Sequence, residues 1–150
     1  TKNYRYKGYF DNGLFNFFGV VEHQRGGRTL GLFDKNEQKF GAFFNRFGNI
    51  KYIGDFNGIY LEGFGIHYMN DINHDNQPLF YYVGFFKKNL CHGRGTFYVA
   101  GGVIILDGIF ENGRIKSVEY SHRCLDIIDL DTPFIFMCFS LSIKKDLLKI

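Results

Sequence analysis

The residues in this chain that could carry chemistry are few and far apart. Cys91 and His92 are adjacent and would suit a metal ion. Zinc needs a closed set of ligands, however, and no second pair lies at a suitable spacing. His67, His74 and His122 are isolated along the sequence. We therefore expect no metal site and interpret His92 as a surface histidine at a turn.

Two glycine clusters could be mistaken for phosphate-binding loops, Gly26-Gly27 and Gly93-Arg94-Gly95. Neither belongs to a Gly-x-x-x-x-Gly-Lys-Ser/Thr motif or to a Gly-x-Gly-x-x-Gly placed between a strand and a helix. Bound nucleotide and other cofactors are therefore not expected.

The carboxylates are dispersed, and no Ser-His-Asp or Cys-His arrangement can be argued from their spacing. The carboxylates on the predicted hairpins are Asp55, Glu62, Asp107 and Glu111. We expect them on solvated edges, with Asp55 and Asp107 on the face opposite the aromatic side chains. The sequence therefore predicts a protein that is not an enzyme.

The composition of the 150 residues indicates one domain with many rings, since Phe occurs 19 times and Tyr 10 times. The net charge is +3 and the basic residues are scattered, whereas a nucleic-acid binder usually has a basic face. We therefore expect no nucleic-acid partner. Three cysteines at irregular spacing favour reduced thiols in an intracellular protein over a disulfide framework.

A Gly-x-Phe core recurs at a nearly constant period, which is the mark of a repeat architecture. The five copies begin at Gly8, Gly31, Gly54, Gly84 and Gly108. Their spacings are 23, 23, 30 and 24 residues. The long interval contains a polar segment over 71–77 that ends at Pro78, and such a segment predicts a loop.

A turn signal follows the aromatic residue of each unit. The signals are Asn12-Gly13, Asn36, Asn57-Gly58, Asn89 and Asn112-Gly113. Asn-Gly favours type I′ turns because both central residues need a positive φ. Each unit is therefore predicted to be a β-hairpin, and the hairpins must pair with one another because a lone hairpin is marginal in water.

The rings of the first strands lie two residues from a glycine, so strand alternation places ring and glycine on one face. These rings are predicted to form the core of the array and, as a second role, a groove that grips a peptide or helix. The predicted groove consists of Tyr6, Phe10, Phe33, Tyr52, Phe56, Tyr82, Phe86 and Phe110.

The repeat resembles the MORN repeat (membrane occupation and recognition nexus), whose unit of about 23 residues reads Tyr-x-Gly-x-aromatic, then Gly, then Gly-x-Gly. The match is closest in the units led by Tyr52-Ile53-Gly54 and Tyr82-Val83-Gly84. The first unit has Phe17 in place of the first glycine of the pair, and the second has Thr29 in place of the tyrosine and Phe40-Gly41-Ala42 in place of Gly-x-Gly. In the fifth unit Leu106 stands at the tyrosine position.

The predicted fold is all-β, an elongated single-layer antiparallel sheet of five MORN-like hairpins over 4–115, with a tail over 116–150. In the tail, Asp131-Thr132-Pro133 favours a helix over 133–149, with a strand over 134–139 as the alternative. The tail is expected to cap the last hairpin or, through Phe134, Phe136 and Phe139, to dock on a partner.

The resemblance implies a structural or scaffold subunit that binds other proteins, in a cytoplasmic, cytoskeletal, ciliary or membrane-associated assembly. One alternative is a membrane-surface adaptor for acidic phospholipids. Its basic residues would be Lys87, Lys88, Arg94, Lys144 and Lys145. A second alternative is an accessory subunit of an organellar complex, for example a mitochondrial one, with the apolar tail packed on its neighbours.

Overall fold

A computed structural model describes residues 4–72, 78–99 and 102–121, and these residues form ten β-strands. The strands are β1 Tyr4–Asp11, β2 Leu14–His23, β3 Arg28–Asp34, β4 Glu37–Phe44, β5 Ile50–Asn57, β6 Tyr60–Ile72, β7 Pro78–Lys87, β8 Leu90–Val99, β9 Val103–Glu111 and β10 Arg114–Ser121. Within the described ranges there is no helix.

The ten strands form one open antiparallel sheet whose spatial order, β1 to β10, is the chain order. Each predicted repeat is one hairpin, and each hairpin pairs with the next. The prediction of a single-layer sheet of consecutive hairpins is therefore confirmed. The predicted helix over 133–149 lies outside the described residues.

Four of the five hairpin turns have two central residues with positive φ, as type I′ turns require. In the first, φ is 48° at Asn12 and 77° at Gly13; in the fourth, it is 49° at Lys88 and 70° at Asn89. The third hairpin differs. Its β5 strand includes Asn57, so the turn is Gly58-Ile59 and not the predicted Asn57-Gly58.

Two predicted boundaries move because strand pairing continues further than the repeat motif. β10 runs to Ser121, so the last hairpin extends beyond the array end predicted at residue 115. β6 runs to Ile72, and Ile72 pairs with Pro78 at the start of β7. The polar insertion predicted from residue 71 thus begins with strand, and residues 73–77 lie outside the described part.

The core lies on one face of the sheet, where large side chains of hairpins three to five pack together. Its buried members are Tyr52, Phe56, Met69, Tyr82, Phe86, Cys91, Phe97, Leu106 and Phe110. Rings meet mostly edge to face, as between Tyr82 and Phe110 at 5.5 Å between centroids. We call this side of the sheet the ring face.

Candidate protein-binding surface

A row of glycines crosses nine neighbouring strands, one glycine in each, directly opposite the next. The row is Gly8, Gly19, Gly31, Gly41, Gly54, Gly65, Gly84, Gly95 and Gly108. It leaves a strip of bare backbone across the sheet. Rings on the ring face can therefore lie against the backbone at positions where a larger side chain would clash with them.

The repeat tyrosines use this strip. The Tyr82 hydroxyl donates to the Phe85 carbonyl at 3.2 Å, and the Tyr52 hydroxyl donates to the Asp55 carbonyl at 2.9 Å. A Cβ at Gly84 would lie 2.5 Å from Cζ of Tyr82. Burial raises the pKa of the Tyr52 phenol well above its ordinary value, because the ionised form would lose its water. These tyrosines therefore have a structural role, and their rings fit only because the residues beneath them are glycines.

The second hairpin has no tyrosine, and Gln38 takes its place. The Gln38 side chain is buried, and its Nε2 donates to the Leu30 carbonyl at 3.5 Å. The same Nε2 lies 2.6 Å from where a Cβ of Gly41 would be. Since Gly41 is the glycine in the row, the Gly-x-Gly position of this unit is Lys39-Phe40-Gly41, and the predicted alignment on Phe40-Gly41-Ala42 was wrong by one residue.

The turns of hairpins two to five also join each hairpin to the one before it. The Asn36 N–H donates to the Phe15 carbonyl at 3.0 Å, and its Oδ1 accepts from the Phe15 N–H at 2.8 Å. Asn89 makes the same two bonds with Leu61, at 3.1 Å and 2.7 Å. In the other two junctions the N–H of Gly58 or Gly113 donates to the earlier hairpin. The turns therefore set the register between neighbouring repeats.

The structure divides the eight predicted groove residues into two groups. Six are buried and pack within the array, namely Phe33, Tyr52, Phe56, Tyr82, Phe86 and Phe110. The other two lie in β1, where Tyr6 is half-buried and Phe10 is 57% exposed. The six buried rings thus belong to the core, and a groove along this face stays a prediction. Phe134, Phe136 and Phe139 lie outside the described residues.

The opposite face carries a second row of large apolar side chains, which we call the outer stripe. Its members each lie beside a glycine of the row and are 47–67% exposed. They are Tyr9, Phe18, Leu32, Phe40, Phe64 and Phe85. Phe18 is opposite Leu32, Leu32 is opposite Phe40, and Phe64 is opposite Phe85. On β5 the corresponding residue is Asp55, which divides the stripe into two parts.

The sequence contains a signal for the outer stripe, which the prediction of a groove on the ring face missed. Strand alternation places every residue adjacent to a repeat glycine on the face away from the rings. The middle residue of each Gly-x-Gly is such a residue, and it is aromatic at Phe64. The repeat motif is defined by the rings and glycines that recur within the chain. The position between the glycines varies from repeat to repeat, and it is this position that is exposed.

The chain matches no model of a known protein family, and no curated protein matches it.

Phe17 combines exposure with an unusual backbone. It occupies the place of the first glycine of the Gly-x-Gly pair, as the sequence indicated, and has φ of 53°. Gly63 and Gly93 have φ of 93° and 73° at the same place in later repeats. A bulky side chain seldom adopts this conformation. Phe17 is also 68% exposed, so packing does not compensate for the strain.

The charged residues near the stripe are mostly paired. Arg94 contacts Asp107 at 3.0 Å and Glu119 at 2.7 Å. Asp107 also accepts from Thr96, and Asp55 accepts from the Phe64 N–H at 2.8 Å. The expectation that Asp55 and Asp107 would be solvated holds only in part, because both are half-buried and accept hydrogen bonds from the protein. Of the proposed lipid-binding cations, Arg94 is thus already engaged.

The described ranges contain no group of three or more potential metal ligands. His92 lies in β8 and is half-buried, so its interpretation as a surface histidine at a turn was wrong. Its Nδ1 accepts from the N–H of Asn112, in the turn of the next hairpin, at 3.4 Å. In the same ranges we find no helix of the length and apolarity needed to cross a bilayer.

Proposed function

We propose that the chain is a non-enzymatic scaffold subunit that binds other proteins through the outer stripe. The observation that carries this proposal is a row of six large apolar side chains that remain about half exposed, on a sheet whose other face holds the packed core of hairpins three to five. An aromatic side chain buries about 150–250 Å². The stripe therefore offers on the order of 600 Å², which is the size of the largest apolar patches on typical monomers, and these are often functional.

The spacing of the stripe suits an amphipathic helix laid across the strands. Neighbouring strands are about 4.8 Å apart, and one turn of a helix rises about 5.4 Å. A helix in this position could place about one apolar residue on each strand, as helices do when they bind in apolar grooves. Asp55 lies between Phe40 and Phe64 and would favour a basic residue at the middle of that helix.

The resemblance to MORN repeats supports the same function, since that family is known for scaffold roles. We place the protein in an intracellular assembly, of cytoskeletal or membrane-associated type. The adaptor for acidic lipids is the less favoured alternative, because Arg94 is paired with two carboxylates and the exposed surface of the stripe is apolar.

The test compares two double variants expressed in the source cells. Phe64→Ser with Phe85→Ser removes the second part of the stripe, which lies on β6 and β7. Val103→Ser with Tyr120→Ser removes two side chains of equal exposure that lie outside it, at 51% and 50%. Affinity purification with mass spectrometry should show partners that the stripe variant loses and the control retains.

A photo-cross-linking residue at position 64 identifies the segment of the partner that lies on the stripe, and this segment should be an amphipathic helix. If the stripe variant retains every partner while melting at the wild-type temperature, binding does not use this face. Sedimentation with acidic liposomes at low salt separates the lipid alternative, which predicts binding that moderate salt removes.

A further inference from the structure

The two edges of the sheet differ in how ready they are to accept another strand. β10 contains two register shifts against β9, after Ile115 and after Val118, and each shift leaves an extra residue on β10. Such irregularities twist an edge away from further pairing. In β1 the one register shift, between Gly8 and Phe10, places the extra residues on β2. The outer edge of β1 is therefore eight regular residues.

The side chains of β1 are also unusually exposed for an aromatic strand. Tyr4, Tyr9 and Phe10 are 41%, 67% and 57% exposed, and they are distributed over both faces. A long and regular edge strand is a template for pairing with another chain, and on β1 exposed rings alternate with the charged Arg5, Lys7 and Asp11. An additional antiparallel strand would cover these rings from the side, whichever face they occupy.

We propose that two copies of this chain pair through their β1 strands, antiparallel about a two-fold axis at Gly8, so that the sheet continues from one copy into the other. The glycine row reaches the edge at Gly8, and every other neighbouring pair of strands from β1 to β9 keeps glycine opposite glycine. A two-fold axis at Gly8 places Gly8 of one copy opposite Gly8 of the other, so the glycine row continues across the interface.

This register brings opposite charges together. With Gly8 on the axis, residue 5 of one copy is opposite residue 11 of the other, so Arg5 meets Asp11 twice in the dimer. Arg5 is free to do so, since its side chain is 73% exposed and its contact with Glu22 is long, at 3.9 Å. Asp11 is exposed at the end of β1. Opposite charges at facing positions of antiparallel strands are stabilising, and like charges are destabilising.

The interface is small. Three rings that are about half exposed supply roughly 300 Å² per copy, and the strand backbone adds to this. The total lies at the low end for specific interfaces. We therefore expect a reversible dimer in the micromolar range, which weakens as salt screens the charge pairs. The proposal concerns the β1 edge and does not depend on the outer stripe as the site for other proteins.

The test uses charge reversal in the full 150-residue chain, measured by sedimentation velocity over a concentration series. Arg5→Asp places Asp opposite Asp, and Asp11→Arg places Arg opposite Arg, so each single variant should dimerise at least about tenfold more weakly than the wild type. Arg114→Asp, a reversal on the exposed β10 edge, is the matched control and should dimerise normally.

An equimolar mixture of the two single variants gives the decisive result. Arg5→Asp presents only carboxylates at both positions and Asp11→Arg presents only guanidinium groups, so the mixture should form a heterodimer although neither variant dimerises well alone. Recovery in the mixture also shows that both variants are folded. A wild-type chain that stays monomeric at hundreds of micromolar overturns the proposal, as does a mixture without heterodimer or a pair of single variants that dimerise like the wild type.

Discussion

Replacing Gly95 with alanine should destabilise the array strongly, because the new methyl group would occupy the space of a fixed ring. A Cβ at Gly95 would lie inside the contact distance of Oη, Cζ and Cε2 of Tyr82. The Tyr82 ring cannot easily move, since it is fully buried and its hydroxyl is bonded to the Phe85 carbonyl. The φ of Gly95 is not in the left-handed region, so the substitution tests the clash and not the backbone.

The expected cost is the sum of two effects. Overpacking a well-filled core costs about 1–3 kcal/mol, and displacement of the ring loses a hydrogen bond worth about 1 kcal/mol. We therefore expect Gly95→Ala to lower the free energy of unfolding by about 2–4 kcal/mol, or the melting temperature by roughly 6–12 °C for a chain of this size. Gly65→Ala should behave alike, because the same three atoms of Tyr52 lie there.

Gly13→Ala is the matched control. Gly13 has φ of 77° and would have nothing within 4 Å of its Cβ, so the substitution strains the backbone without a clash. It should cost about 1 kcal/mol. Thermal melts followed by far-UV circular dichroism compare the three variants. If Gly95→Ala is no more destabilising than Gly13→Ala, the tyrosine does not lie fixed on the glycine row and the account of the ring face is wrong.

Three further predictions concern single residues. Asn89→Gly keeps the left-handed turn but removes the acceptor for the Leu61 N–H, so it should cost about 1 kcal/mol in urea denaturation, and Asn89→Asp, which keeps an acceptor oxygen, should cost less. Phe17→Gly removes strain at a φ of 53° and should leave stability unchanged or raise it by about 1 kcal/mol; a large loss in the same assay would mean that the Phe17 ring packs. The pKa of Tyr52 is raised on folding, so its contribution to stability is full below its ordinary pKa of 10.0 and is lost as the pH rises above that value. The urea midpoint of the wild type should therefore decline between pH 9 and 11, and Tyr52→Phe, which cannot ionise, should flatten that decline.

The sequence was enough to predict the repeat architecture because glycine, aromatic and turn residues recur at one period. It also located the turn asparagines, and Asn36 and Asn89 indeed occupy left-handed turn positions. It could not show that these side chains reach back to Phe15 and Leu61 in the preceding hairpin, since that contact depends on how hairpins pair. The replacement of tyrosine by Gln38 was likewise hidden, because Gln38 comes from the other strand of its hairpin.

The candidate surface was harder to predict than the fold, for a related physical reason. The ring that recurs in every repeat is the Phe of Gly-x-Phe, which each repeat uses for packing, and it is buried in four of the five repeats, as Phe56 and Phe86 are. Positions that vary from repeat to repeat are those that packing leaves unconstrained, and in a single-layer sheet they lie on the opposite face. The residue after each first-strand glycine shows this, since it is Tyr9, Leu32, Asp55, Phe85 or Ile109 in the five repeats.

This division of roles has a consequence for specificity. The glycine row and its rings fix the spacing of the strands, and the variable row then presents a linear sequence of side chains at that spacing. From β1 to β7, Asp55 is the one acidic residue in this variable row, and it separates the two apolar parts of the outer stripe. A partner that binds the outer stripe must therefore match both the spacing and this charge. Substitution of Asp55 should change which partners bind, whereas substitution of a ring-face tyrosine should change only how much folded protein there is.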